Sequence, residues 1–299
     1  MGRVPRLIKN ATPGFSVSYV GQISRILFAA ALLFVGGGVT ALILWQTRDR
    51  NVKPRVFTLP VGGSSSHFTR VEVPDPPVLE SLVREFLAAR SPEDLAPRVR
   101  GSSQRPEDIV AKLAGLEAGD GRIHSIRYRG PIDSLCMQLE SVLVNFSSGH
   151  NRVALLSPDA GGKWRVDFDA FDRHVVPAWD ALLSNEVLEG TVRVFVSADN
   201  YYNGRYTEED WVCFSMASPE HETIMFGYVP RDSRQLAALI SALRRNGQGS
   251  SVPMQRMTLD IRHTGTGENR LFEITRVLAD DWALGSQPFQ DHMVGKFDE

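Results

Sequence analysis

The chain carries 33 lysines and arginines against 35 aspartates and glutamates over 299 residues, a formal net charge of −2. That balance removes the basic excess on which nucleic-acid binding leans, so nucleic acid is excluded as an expected partner. The two cysteines, Cys136 and Cys213, both fall in apolar, strand-like runs, where a thiol serves as a small buried hydrophobe. A disulfide between them would require an exported domain, and nothing in their spacing specifies one.

Residues 1–25 form a basic tail with Arg3, Arg6, Lys9 and Arg25. From Ile26 to Trp45 the chain is uncharged and apolar, and about 20 such residues in a helix cross the hydrocarbon core of a bilayer. A cleaved signal peptide has an apolar stretch of only about 7 to 15 residues and a small-x-small cleavage site. Here the run is longer, and Trp45-Gln46-Thr47-Arg48 offers no such site. The reading is a retained, single-pass transmembrane helix, with the lipid bilayer as its partner. Gly37 and Ala41 make a small-x-x-x-small pair that would let two spans approach closely, a route to a homo-oligomer. Trp45 suits an interfacial anchor. Arg48, Arg50, Lys53 and Arg55 downstream balance the upstream cations, so the positive-inside rule is neutral. A short basic tail ahead of one span and a large C-terminal region places the soluble domains outside the cytoplasm.

Residues 46–77 read as a linker, carrying Pro54, Pro60, Gly62, Gly63, Ser64-Ser65-Ser66, Pro74, Pro76 and Pro77, a composition that disfavours helix interiors and sheet centres alike. A first domain is expected over 78–188. Leu79, Leu82, Val83, Phe86 and Leu87 recur at helical spacing. Ser91-Pro92-Glu93-Asp94 and Arg105-Pro106-Glu107-Asp108 each look like a cap and first turn, so three short helices follow one another. The period then changes to two, at Ile126 and Tyr128, Leu135 to Phe146, Val153 to Leu156, and Trp164, Val166 and Phe168 against Lys163, Arg165 and Asp167. Gly130-Pro131, Ser148-Gly149 and Gly161-Gly162 separate these runs, giving a curled antiparallel sheet of about four strands. Helices followed by a meander ending at Gly162-Lys163-Trp164-Arg165-Val166-Asp167 resemble the NTF2-like superfamily of small α+β cones. The resemblance spans roughly Val78 to Phe171.

Phe171, Val175, Trp179, Leu182 and Leu183 suggest a connecting helix with Pro177 near its start. A second, small α+β domain is expected over 189–285. It has strands around Val192 to Val196, Trp211 to Met216 and Thr223 to Val229, and a helix through Leu236, Leu239, Ile240 and Leu243 that stops at Asn246-Gly247. Strands at Gln255 to His263 and Leu271 to Val277 follow, joined by Gly265-Thr266-Gly267. Residues 286–299 form a C-terminal tail. The expected class is therefore α+β, an anchor helix followed by two compact domains.

The NTF2-like resemblance implies a pocket between sheet and helices whose walls carry acid or base groups, and His124, Tyr128, Asp133 and Asp167 are the available types. Asp167 shares its expected strand face with Lys163 and Arg165, which reads as solvated outer surface. The densest polar-aromatic patch is Tyr201, Tyr202 and Tyr206 among Asp199, Asn200 and Asn203. It is either a recognition surface or a turn-rich loop whose rings pack over the adjoining sheet. The candidate contacts are thus His124, Tyr128, Tyr201 and Tyr202. The scattered histidines and the absence of Cys-x-x-Cys predict no metal, and no phosphate loop, dinucleotide fingerprint or nucleophile elbow predicts a cofactor or a catalytic residue. Tail, span, linker and cone together resemble the layout of VirB8-type scaffold subunits. The expectation is a membrane-anchored, non-catalytic protein that binds a protein partner or small ligand, the alternative being an anchored enzyme using the cone pocket.

Overall fold

The computed structural model describes residues 68, 70–184, 186–246, 254–263 and 270–296. The basic tail, the Ile26–Trp45 span, most of the linker and the Gly265-Thr266-Gly267 turn lie outside the described residues. Among the described residues, no helix is long and apolar enough to cross a membrane. The described residues are α+β and form two sheets.

Helix α1 (Pro76–Ala88) begins two residues before the expected Val78, because a proline's missing N–H is no loss in a helix's first turn. It buries the expected stripe Leu79, Val83, Phe86 and Leu87. Helix α2 (Pro92–Leu95) is capped by Ser91, whose hydroxyl accepts from the Asp94 amide at 3.2 Å. Helix α3 (Pro106–Asp120) stops at Gly121, where φ is +86° and an added Cβ would fall 2.9 Å from Ser147 Oγ. Only glycine fits both demands.

Strands β1 (Ile123–Ile132), β2 (Leu139–Phe146), β3 (Asn151–Pro158) and β4 (Trp164–Val166) then form an antiparallel sheet in chain order. The helices back one face of it. There Val142, Val144, Ala154, Leu156 and Val166 meet Leu79, Val83 and Phe86 in one buried cluster, with Phe86 edge-on to Phe168 and Phe171 at 6.2 and 5.3 Å. Trp164 belongs to this core, its indole N–H donating to the Glu72 carbonyl at 3.1 Å.

Asp167 corrects the sequence reading. Its residue is 5 % exposed rather than solvated, because β4 ends at Val166 and the alternation ends with it. Asp167 instead caps helix α4 (Phe168–Phe171), accepting from the Ala170 amide at 2.8 Å, with Arg100 at 3.4 Å as its cation. The expected single connecting helix is two short ones, α4 and α5 (Trp179–Leu183). The apolar run expected to be strand from Leu135 becomes strand only at Leu139. Ser134 and Leu135 are held out of it by Asp280, which accepts from Ser134 Oγ at 2.7 Å and the Leu135 amide at 2.9 Å. Cys136 therefore sits in a bend ahead of the strand, and no disulfide joins it to Cys213.

Strands β5 (Glu189–Asp199), β6 (Trp211–Ser218), β7 (His221–Pro230), β8 (Met254–His263) and β9 (Leu271–Ala279) close into a barrel in the order β5-β6-β7-β9-β8. The β7–β9 pairing is parallel and the others are antiparallel. Helix α6 (Arg234–Asn246) lies between the third and fourth strands, which is the connectivity of an OB-type barrel. Val192, Val194, Val196, Phe214, Met216, Met257, Leu259, Phe272 and Ile274 fill its interior, covered by Leu236, Leu239 and Leu243 of α6. Gly227 faces this interior, where a Cβ would come within 2.6 Å of Ile274 Cδ1. Phe289, from the stretch read as a tail, is fully buried in the same core.

Residues 280–285 tie the two sheets together. The Trp282 indole donates to the Val194 carbonyl at 3.1 Å, and its ring sits edge-on to Phe195 in a cluster with Leu139, Leu155 and Ala170. Arg173 and Arg256 lie 5.9 and 5.6 Å from its centroid. Asp281 is 1 % exposed and paired with Arg256 at 3.0 Å. Burial pushes its carboxyl up to about 6 against the pull of Arg256.

A folded-state pKa raised in this way means that the native state holds an extra proton above the usual carboxylate value. Stability is then lost as pH rises through that window. Asp281→Asn cannot ionise. In chemical denaturation from pH 4 to 7, the stability gap should therefore move in favour of the variant with rising pH, by on the order of 2 kcal/mol. A gap that is flat or moves the other way would contradict the assignment.

Candidate functional site

Two surfaces collect the residues singled out from the sequence, one on each sheet. On the first, His124 and Tyr128 are not brought together. His124 is the extra residue of a bulge, since Ile123 pairs with Phe146 and Ser125 already pairs with Asn145, and its side chain is exposed. Tyr128 pairs with Val142 and points to the helix-backed side. Its hydroxyl donates to Glu140 Oε2 at 2.6 Å, and its amide donates to Glu80 of α1 at 2.9 Å. Burial and the Glu140 carboxylate together push the phenol up to about 12. Asp133 is exposed beyond the end of β1.

Glu140 was missed in the sequence because it stands inside an apolar run, and a lone carboxylate in a buried strand is the signal that could have found it. It is 3 % exposed and shares its sheet face with Leu156 and Val166. Just ahead of β2, the Gln138 amide clamps the incoming chain. It accepts from the Val71 amide at 2.9 Å and donates to the Val71 carbonyl at 2.9 Å. With the Trp164 bond to Glu72, three hydrogen bonds fasten a strap of two residues across this end of the sheet.

The second surface is the outer face of the barrel, over which the β5–β6 connection folds. Asp199 starts the turn by accepting from the amides of Asn200 and Tyr201 at 2.7 and 3.1 Å. The Tyr201 ring then stacks on Phe226 at 4.3 Å, and Tyr206 stacks on Tyr228 at 3.9 Å while meeting Trp211 edge-on at 5.1 Å. The Tyr228 hydroxyl donates to the Tyr201 carbonyl at 2.8 Å. The rings are laid on the adjoining sheet, as the loop reading expects, and that placement still leaves Tyr201 and Tyr202 half-buried and open to a partner. Burial raises the Tyr202 and Tyr228 phenols and pushes the Cys213 thiol beneath them up to about 12.

Arginines frame these rings: Arg205 stands beside Tyr206 in the same loop and could have been read with it, whereas Arg262 and Arg270 come from distant segments on which the local sequence is silent. Arg270 lies 5.6 Å from the Tyr201 centroid and 5.4 Å from that of Phe226. Arg205 lies 5.1 Å over Tyr206 and shares Glu273 with Arg262, which is at 2.6 Å. Tyr201, Tyr202, Trp211 and Phe226 stay half-buried, and the Arg205 and Arg262 side chains are half exposed. The result is a partly wet face of flat rings and guanidinium groups.

Among the described residues, no group of three or more His, Cys, Asp or Glu side chains could hold a metal ion. Comparison of the chain with known protein families, with characterised proteins and with solved structures found no match.

Proposed function

We propose that this is a single-pass membrane protein whose two α+β domains act without catalysis, as an adaptor that engages a protein partner through the outer face of the barrel. The observation that carries this reading is the grouping of Tyr201, Tyr202, Trp211 and Phe226 with Arg205, Arg262 and Arg270 on one face. Tyrosine, tryptophan and arginine are the residue types that dominate binding hot spots. By fold-level analogy, OB-type barrels bind their ligands on the face of the second and third strands, next to the loop joining the first two, and that is where these rings lie. The analogy supports a binding role and does not name a ligand.

The likeness of the first domain to NTF2-like cones is supported by its order of three helices and a four-stranded meander, and the VirB8-type layout by the expected span and linker ahead of it. A bilayer anchor and domains outside the cytoplasm belong to the same proposal. The enzyme reading is favoured by one observation, the inward-facing Tyr128–Glu140 pair. Against it stands the apolar cluster of Val83, Phe86, Val142, Val144 and Phe168 that fills the helix-backed face.

Two measurements test the proposal. A photo-crosslinking residue at position 202 should capture a discrete partner in membranes, whereas one at the exposed position 124 should not; equal capture at both positions, or none at 202, counts against the barrel face. Alkaline carbonate should leave the chain in the membrane pellet, and release of intact protein to the supernatant would remove the anchor.

A further inference from the structure

Glu273 of β9 holds more cations than a buried carboxylate needs. Its side chain is 10 % exposed; Arg205 takes Oε1 and Arg262 takes Oε2 at 2.6 Å, yet the two arginine side chains stay 51 % and 50 % exposed. Arg205 comes from the β5–β6 connection, and Arg262 is the residue opposite Glu273 in the β8–β9 ladder. The fork of one guanidinium would satisfy both carboxylate oxygens. Two guanidinium groups that each give Glu273 a single Nη2 carry further N–H donors out toward water. Glu189, opposite Arg262 across β5–β8, supports that cation from the side of β8 that faces away from β9.

Aromatic surface adjoins these donors. Tyr228 is opposite Glu273 in the β7–β9 pairing, Tyr206 stacks on Tyr228, and the Arg205 guanidinium lies 5.1 Å over the Tyr206 ring. Tyr206 is buried and covers Arg205 from beneath, so the half-exposed guanidinium presents its other side to water, where a further ring can stack. Arg270 caps the neighbouring Tyr201–Phe226 stack in the same manner. The acids of the connection stand elsewhere: Asp199 serves the turn amides, and Glu208, Glu209 and Asp210 gather ahead of Trp211. The face therefore has an arginine end and an acidic end. A run of carboxylates would meet repulsion at the second, whereas one carboxylate among neutral neighbours suits the first.

We propose that the barrel face binds a protein segment in which a single carboxylate stands beside an aromatic side chain. The carboxylate takes the outward donors of Arg205 and Arg262, and the ring covers Arg205. Glu273 is the post that holds the two guanidinium groups in place for it. The inference rests on the adaptor reading of the same face and names the chemistry of the partner that the reading leaves open.

The test uses the full chain in detergent with isotope-labelled arginines, so that NMR reads the Nε–H groups of Arg205 and Arg262, each assigned by the signal that its own glutamine variant removes. The blocked peptide acetyl-Gly-Gly-Glu-Trp-Gly-Gly-amide should move both resonances saturably. The same peptide with Gln for Glu should bind at least about tenfold more weakly, and that with Ala for Trp about fivefold more weakly. Arg205→Gln or Arg262→Gln should weaken the Glu-Trp peptide about five- to tenfold, read on the arginine that remains. Each variant leaves Glu273 its other arginine, so the buried carboxylate keeps a cation. Arg127→Gln, exposed on β1, should change nothing. No saturable shift with any peptide, equal affinity for the Glu and Gln peptides or without the Trp ring, or an equal response to inorganic phosphate or poly-glutamate would overturn the proposal. Capture of a partner at position 202 is read independently: with capture and no preference for the Glu-Trp peptide, the adaptor reading stands and this chemistry falls.

Discussion

Trp282→Ala is expected to cost about 3 to 5 kcal/mol of unfolding free energy, the range for truncating a large aromatic in a packed core. The ring is 2 % exposed and lies against both sheets, touching Leu139 and Leu155 on one side and Phe195 on the other. Removing it deletes the indole bond to the Val194 carbonyl and strands that acceptor. It also takes the aromatic face away from Arg173 and Arg256, leaving two partly buried guanidinium groups against a void. Little can collapse into the space, because β5 is fixed on both edges by β6 and β8. Urea denaturation followed by far-ultraviolet circular dichroism measures the loss. A midpoint within error of wild type would mean that the residues after β9 do not hold the two sheets together.

The helices and strands were legible in the sequence where local periodicity decides them. Leu79, Val83 and Phe86 announce one helix face, and Trp164 and Val166 alternate inward as expected. The barrel was not legible. Its strands could be read one by one, but that β5 closes on β8 and that β7 runs parallel to β9 is a choice of distant partners, on which local alternation is silent. Asp167 shows a second limit: period two predicts a face only while the strand lasts, and the strand stops one residue earlier.

The candidate sites divide along the same line. Tyr201 and Tyr202 were visible because they are adjacent in the chain. Arg205 stood within the same stretch of chain, whereas Arg262 and Arg270, which complete the surface, reach it only through the barrel, and Glu140 was hidden by the apolar company that makes it unusual. What a sequence withholds here is chiefly the identity of long-range neighbours, which are set by topology and not by composition.

Arg193→Leu is expected to be nearly as damaging as loss of Trp282, for a different reason. Arg193 is 3 % exposed, since Val192 and Val194 on either side of it face the barrel interior and it points outward toward the first sheet's connections. Its Nε donates to the Trp282 carbonyl at 2.9 Å and its Nη1 to the His174 carbonyl at 2.7 Å, with Asp169 at 3.9 Å from Nη2. Burial lowers the guanidinium pKa while Asp167, Asp169 and Asp172 support its charge. Leucine would fill much of the volume yet leave two buried carbonyls unpaired and the nearby acids short of a cation, a loss of about 3 to 5 kcal/mol. Arg193→Lys keeps the charge but cannot reach both carbonyls, so it should recover only part of that stability. Because the bonds span the β5 barrel strand, the α4–α5 connection and the segment after β9, breaking them should uncouple the two sheets as well as weaken them. The wild type is expected to unfold in a single transition and the variant to lose it, with tryptophan fluorescence and circular dichroism no longer coincident in urea. Coincident curves with an unchanged midpoint would place the coupling of the two sheets elsewhere.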